Sequence, residues 1–278
     1  MKEPSRGASE EELRDLINMG LRYPFRVELK EYKNFFKNQG NMILALEVFV
    51  ISMGWSTFAI WSLYAISRDA NTSLLVASIL LAIVSSGRVF QPLLAPIVDN
   101  LRLRSGLLKC FFTACMIFVF VLSITLFLLM LEPLELYEEK LLNALISIIF
   151  LLREDTSLRI AIVLGMLGVF AEAFDQPVRE ATLAETNLPE IRGSGIAIIN
   201  LFGLFGRSLG IILTGYLAIV MSSLKHAIVL VVALSSLAGI FWIIFGLNYE
   251  HYTDLIRREL IRRRNSILEF IKTKDLVL

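Results

Sequence analysis

The chain has 278 residues, of which 56% are hydrophobic and only 19% charged, against about 25% charged in a typical soluble domain. Its mean hydropathy of +0.67 exceeds what a water-soluble interior of this size can absorb, which points to a membrane protein. The 27 basic and 26 acidic residues leave no basic surplus for nucleic acid, and Cys110, Cys115, His226 and His251 offer neither a disulfide framework nor a zinc or haem ligand set, so no cofactor is expected.

Residues 1–41 carry eight Lys/Arg and seven Asp/Glu and lack the apolar run of a secretory signal. They read as a cytoplasmic N-terminal leader of one or two short helices broken near Tyr23-Pro24. Leu13, Leu16, Ile17, Phe25, Val27, Phe35 and Phe36 suit either a surface-lying segment or a solvated tail.

A bilayer core of about 30 Å takes about 20 residues of helix. On that measure a six-helix transmembrane domain fills 42–248, with spans at about 42–67, 70–98, 107–131, 159–187, 193–220 and 227–248. The fourth is polar over its second half, with Glu172, Asp175, Arg179 and Glu180. Within the insertion 132–158, the apolar run Leu141 to Leu152 has only 12 residues. It is expected to lie outside the membrane as an interfacial or re-entrant helix. In the C-terminal segment 249–278, Ile256, Leu260, Ile267 and Ile271 share one helical face while Arg258, Arg262 and Arg263 lie largely elsewhere. That pattern predicts an amphipathic cytoplasmic helix on an anionic inner leaflet, with a solvated charged helix as the alternative. With the leader inside, the segments on the terminal side hold 19 Lys/Arg and those on the opposite side five. The positive-inside rule then gives a multi-pass protein of the cell membrane with both termini cytoplasmic.

Two stretches carry a resemblance. Between the second and third spans the sequence runs Ala95-Pro96-Ile97-Val98-Asp99-Asn100-Leu101-Arg102-Leu103-Arg104. Along the fourth and fifth it has Pro177-Val178-Arg179-Glu180-Ala181, Ala184-Glu185, Pro189, Arg192-Gly193 and Asn200, with glycines at 203, 206, 210 and 215. Together these resemble the major facilitator superfamily, whose six-helix halves are built from inverted three-helix repeats. The Asp99 loop is similar to that family's G-x-L-A-D-R-x-G-R-R, keeping Asp99 and Arg104 while Ala95, Asn100 and Arg102 depart from it. Pro177-Val178-Arg179 and Gly206-Arg207-Ser208-Leu209-Gly210 are closest in pattern to the efflux branch of macrolide and enterobactin exporters, with Ile211 where that branch has Pro.

The resemblance covers about residues 42–248 and corresponds to one half of a twelve-helix protein. It implies an all-α polytopic 3+3 bundle that moves a small-molecule substrate by alternating access. The partner would be a second copy or a separately encoded half. It further implies a gating charge relay of Asp99, Arg104, Glu185 and Arg192.

Charges at mid-bilayer are costly, about 2.5–3.5 kcal/mol each, and mark functional positions. Arg88, Glu172, Asp175 and Arg207 fall about 15–22 Å deep at about 1.5 Å of helix rise per residue, with Glu47 shallower. Glu172, Asp175 and Arg179 have i, i+3, i+7 spacing, which predicts one shared face. Arg88, Asp175 and Arg207 are expected to converge on a polar cavity that serves substrate or protons, with Glu172 and Asp175 as the proton carriers and Glu47 joining them. The alternative is a buried network that only fixes packing, to which Arg179 and Glu180 are assigned. Gly203, Gly206, Gly210 and Gly215 are expected to let the fifth span approach a neighbour closely. Trp55, Trp61 and Trp242 are read as lipid contacts or packing.

Other classes fit less well. An intramembrane enzyme would need a Ser/His, paired-Asp or HExxH arrangement that the chain lacks, so the expectation is not an enzyme. A non-transporting scaffold or degenerate half-transporter is the remaining alternative.

Overall fold

The computed structural model describes residues 10–19, 35–94, 96–97, 100–101, 105–131 and 133–275. Among these there is no strand. Six helical segments are long and apolar enough to cross a membrane, at Gln39–Asp69, Leu74–Leu93, Gly106–Met130, Thr156–Glu185, Arg192–Val220 and Leu224–Leu247. The chain is an all-α polytopic membrane protein.

Helix starts follow local capping chemistry, since the first backbone N–H groups of a helix need acceptors. Asn38 accepts from the Gly40 amide at 2.9 Å at the head of the first span. Ser73 accepts from Val76 at 3.3 Å at the head of the second. Asp155 accepts from Ser157 and Leu158 at 2.8 and 3.1 Å at the head of the fourth. Three spans are composite. The second tightens to a 3-10 helix over Ser86–Leu93, where Pro92 removes a donor. The fourth breaks at Ala173–Phe174 into Thr156–Glu172 and Asp175–Glu185, and the sixth is Leu224–Leu234 followed by Ser236–Leu247.

The first span packs along the fifth and sixth, the fourth packs along the second and third, and the third packs on the sixth. Exchanging first with fourth, second with fifth and third with sixth maps each of these relations onto another of them or onto itself. These relations follow the pattern of two three-helix repeats, except that the fifth span packs on the sixth while, among the described residues, no contact of comparable extent joins the second to the third. Close backbone approach obeys the same exchange. A Cβ on Gly206 or Gly210 of the fifth span would overlap the carbonyl oxygens of Phe49 or Met53 on the first, and a Cβ on Gly87 of the second would overlap the carbonyl of Met166 on the fourth. The glycines at 203 and 215 also face the first span, at Ser52 and Trp61. Small residues thus set these helix contacts, as expected where packing, not water exclusion, drives association.

The segment between third and fourth spans contains a helix at Leu141–Glu154 of 14 residues, too short to cross. Ahead of it an extended strap closes over the turn joining the first two spans. The Leu134 amide donates to the Ala70 carbonyl at 2.7 Å, and that of Ser73 to Leu136 at 2.9 Å. Asn71 takes a φ of 51° in that turn, a conformation asparagine tolerates better than most residues.

The described parts of the two terminal segments meet each other. The C-terminal helix Tyr249–Asp275 packs on the short turn Glu11–Leu13 that precedes the helix Arg14–Asn18. Leu13, Phe35, Tyr252 and Leu260 are buried. Of its apolar stripe, Leu260 is buried against protein. Ion pairs fix it there: Arg263 to Glu190, Arg257 to Glu12 at 3.1 Å and Arg264 to Asp15 at 3.8 Å. Phe36 is exposed, and Phe25 and Val27 lie outside the described residues.

Candidate functional site

Mid-depth charges in the bundle form three separate groups instead of one cavity. The first lies between the first, fourth and sixth spans. Glu47 is fully buried, and Asp175 and Arg179 are nearly so. One nitrogen of Arg179, Nη1, donates to both oxygens of Glu47, at 3.1 and 3.4 Å, and also to Asp175. The Trp242 indole N–H donates to the other Asp175 oxygen at 2.9 Å. Two carboxylates thus share one guanidinium. An unpaired charge in such a place is strongly disfavoured, so the surplus negative charge calls for a proton or cation.

The second group is Arg88 and Glu172, paired at 2.5 Å. The Arg88 guanidinium also sits 4.2 Å above the Trp55 ring. Unlike the first group it is open: the Arg88 side chain is 44% exposed, and it borders a groove of about 470 Å³ with Gln91 and Pro177. The third is Arg207 alone. Its side chain is exposed and makes no ion pair among the described residues. Only its backbone carbonyl is held, by the Ser56 hydroxyl at 3.0 Å.

The expected convergence of Arg88, Asp175 and Arg207 is therefore corrected. Two causes separate them. The break at Ala173–Phe174 interrupts the helical phase, so Asp175 turns inward to Glu47 while Glu172 stays with Arg88. On the fifth span the glycines at 206 and 210 occupy the contact with the first, which leaves Arg207 on its flank. Arg179, assigned to packing, holds the centre of the buried group. Trp242, read as lipid-facing or packing, is fully buried and bonded to Asp175.

Of the implied gating residues, Asp99 and Arg104 lie outside the described residues. Glu185 pairs with Lys109 at 2.6 Å and accepts from the Tyr249 hydroxyl. Lys109 lies within the third span, is fully buried and stacks 5.0 Å over the Tyr249 ring. Arg192 pairs with Glu10 at 2.7 Å and donates to the Asn187 carbonyl at 3.1 Å. The side-chain amides of Asn41 and Asn187 exchange hydrogen bonds of 2.9 Å beside a cavity of about 480 Å³ that opens on this terminal face. Among the described residues no group of three His, Cys, Asp or Glu could hold a metal ion.

Comparison of the chain with protein-family models, with curated proteins and with solved structures found no match in any of the three.

Proposed function

We propose that this chain is a half-size secondary transporter of the major facilitator type. It exports a small molecule by proton-coupled alternating access, in the cell membrane with both termini cytoplasmic. The carrying observation is the buried group in which Arg179 is shared by Glu47 and Asp175. Its surplus carboxylate gives a proton a reason to bind inside the bundle, and the two acids sit on first and fourth spans that the repeat relation makes equivalent. No bond-breaking chemistry is assigned to the site. The 15 Lys/Arg of the two terminal segments carry the basic bias that supports the orientation.

A single bundle leaves the second and fifth spans bare, with 28% and 22% of their apolar windows buried against 61% for the first. We propose that a second copy, inserted parallel and related by a two-fold axis along the membrane normal, covers them, so that transport proceeds between the copies.

The test is pH-gradient-driven movement of amphiphilic small molecules in proteoliposomes. Glu47→Gln and Asp175→Asn should each abolish it while leaving insertion intact. Wild-type flux in both variants would overturn the reading. Single-molecule photobleaching of labelled protein at low density should show two steps, and a one-step majority with retained flux would overturn the pairing.

A further inference from the structure

The two open arginines are the same device used twice. Gly87-Arg88 lies on the second span and Gly206-Arg207 on the fifth, the spans that the repeat relation exchanges. In each the glycine is pressed on a carbonyl of its neighbour span, Met166 or Phe49, and the arginine that follows is left open. The two arginines also meet the first span at neighbouring residues. Arg88 rests on Trp55, and the carbonyl of Arg207 is held by Ser56, the next residue of the first span. What differs is the counter-charge. Glu172, six residues past Met166, neutralises Arg88. Six residues past Phe49 stands Trp55, which carries no charge, and among the described residues Arg207 makes no ion pair.

We infer that the Gly-Arg pair at 87–88 and 206–207 builds an anion site, and that the transported substrate is an amphiphilic organic anion. This rests on the transporter reading above. The guanidinium is a planar donor fork suited to carboxylate, sulfonate or phosphate groups. It stays charged at every physiological pH. Val89, Phe90, Leu204 and Phe205 around the two arginines are apolar and exposed, which suits an anion with a hydrophobic body. A two-fold axis along the membrane normal preserves depth, so pairing two copies brings four arginines and two glutamates to one level. The surplus of two positive charges in a low-dielectric space is repulsive unless an anion lies between them. The buried acid-rich group and the open base-rich group thus divide the work, one toward protons and the other toward substrate.

Tetraphenylborate and tetraphenylphosphonium have nearly the same shape and opposite charge, and serve as probes. Saturable quenching of tryptophan fluorescence is measured with the full chain in phosphatidylcholine nanodiscs, relative to empty discs. Because Trp55 lies under Arg88, it reports occupancy. Neither ion carries a hydrogen-bond acceptor, so the comparison reads charge alone, and attraction to the guanidinium groups against repulsion from them is expected to favour the borate by about ten-fold or more. Arg207→Gln should weaken borate binding by about the same factor, and Arg207→Lys should largely retain it. Equal affinity for the two ions, or unchanged borate binding in Arg207→Gln, would overturn the inference. The exposed Arg207 has no buried partner to strand, so the variant is expected to fold, and size-exclusion profiles matching wild type would verify it. Borate binding without pH-driven flux would sink the transporter reading while the anion site stands. Flux of cationic substrates with no borate preference would do the reverse.

Discussion

Glu47 and Arg179 are 132 positions apart in the chain and meet at 3.1 Å in the interior of the bundle. The contact joins the first repeat to the second at their equivalent spans, and Asp175 and Trp242 complete it. The site is therefore both a tie between halves of the fold and a store of unbalanced charge.

Removing the base and removing an acid should differ sharply. Arg179→Ala leaves two buried carboxylates facing each other and is expected to cost about 3–5 kcal/mol. Glu47→Gln leaves Arg179 with one carboxylate and should cost much less. Thermal unfolding of the purified variants in one detergent checks the order. A larger loss in Glu47→Gln would mean that the charges are balanced by something other than the arrangement described.

Glycine substitutions should separate close helix contacts from open positions. Gly206→Ala must push the fifth span off the Phe49 carbonyl, with an expected cost of about 1–3 kcal/mol. Gly87→Ala should behave alike against Met166. Gly193→Ala has nothing within 4 Å to meet and serves as the neutral control. Equal stability of all three variants would contradict the helix spacing.

The integrity of the C-terminal helix should depend on pH. Burial alone would raise the carboxyl of Glu259, but hydrogen bonds and charge from Arg263 and Arg262 outweigh it and hold it below its ordinary value of 4.5. A depressed folded-state value means that the contribution is complete above the ordinary value and is lost as pH falls through the folded one. Hydrogen-exchange protection factors around Leu260, which remove the intrinsic pH dependence of exchange, should therefore stay high from neutral pH down to 4.5 and fall on further acidification. High salt, which screens these partly exposed pairs, should lower them at neutral pH as well. Protection that rises on acidification would reverse the sign and refute the account.

Topology can be read directly from engineered cysteines. Ser67 lies near the turn joining the first two spans, and Ser105 precedes the third. Impermeant thiol reagents should reach Ser67→Cys from one side of the membrane and Ser105→Cys from the other. Labelling of both from the same side would remove the six-span arrangement.

Much of the helical layout was legible in the sequence because membrane thickness dictates run length, and the uncharged runs could be measured against it. The fifth-span glycines were legible for a similar reason: their spacing leaves a smooth strip that another helix can approach. The site was less so. Extrapolating one continuous helix through Glu172, Asp175 and Arg179 put them on a common face, and nothing in Ala173-Phe174 betrays the break that parts them. Trp242 packs in the interior, one of its two expected readings, but the bond of its N–H to Asp175 was not legible, because an indole in an apolar run announces no partner. One signal was there to be used. The identical dipeptides Gly87-Arg88 and Gly206-Arg207 sit on the second and fifth spans, and an internal comparison of the two halves would have aligned them.

Lys109 gives the folded chain an internal gauge. Its amine is enclosed by Glu185 and Tyr249 with no exposed surface, so water-soluble acylating reagents should modify the exposed lysines and spare it. The rate at which Lys109 becomes acylated, read by peptide mass spectrometry, then measures how often the terminal face parts from the third span, without any label or introduced residue.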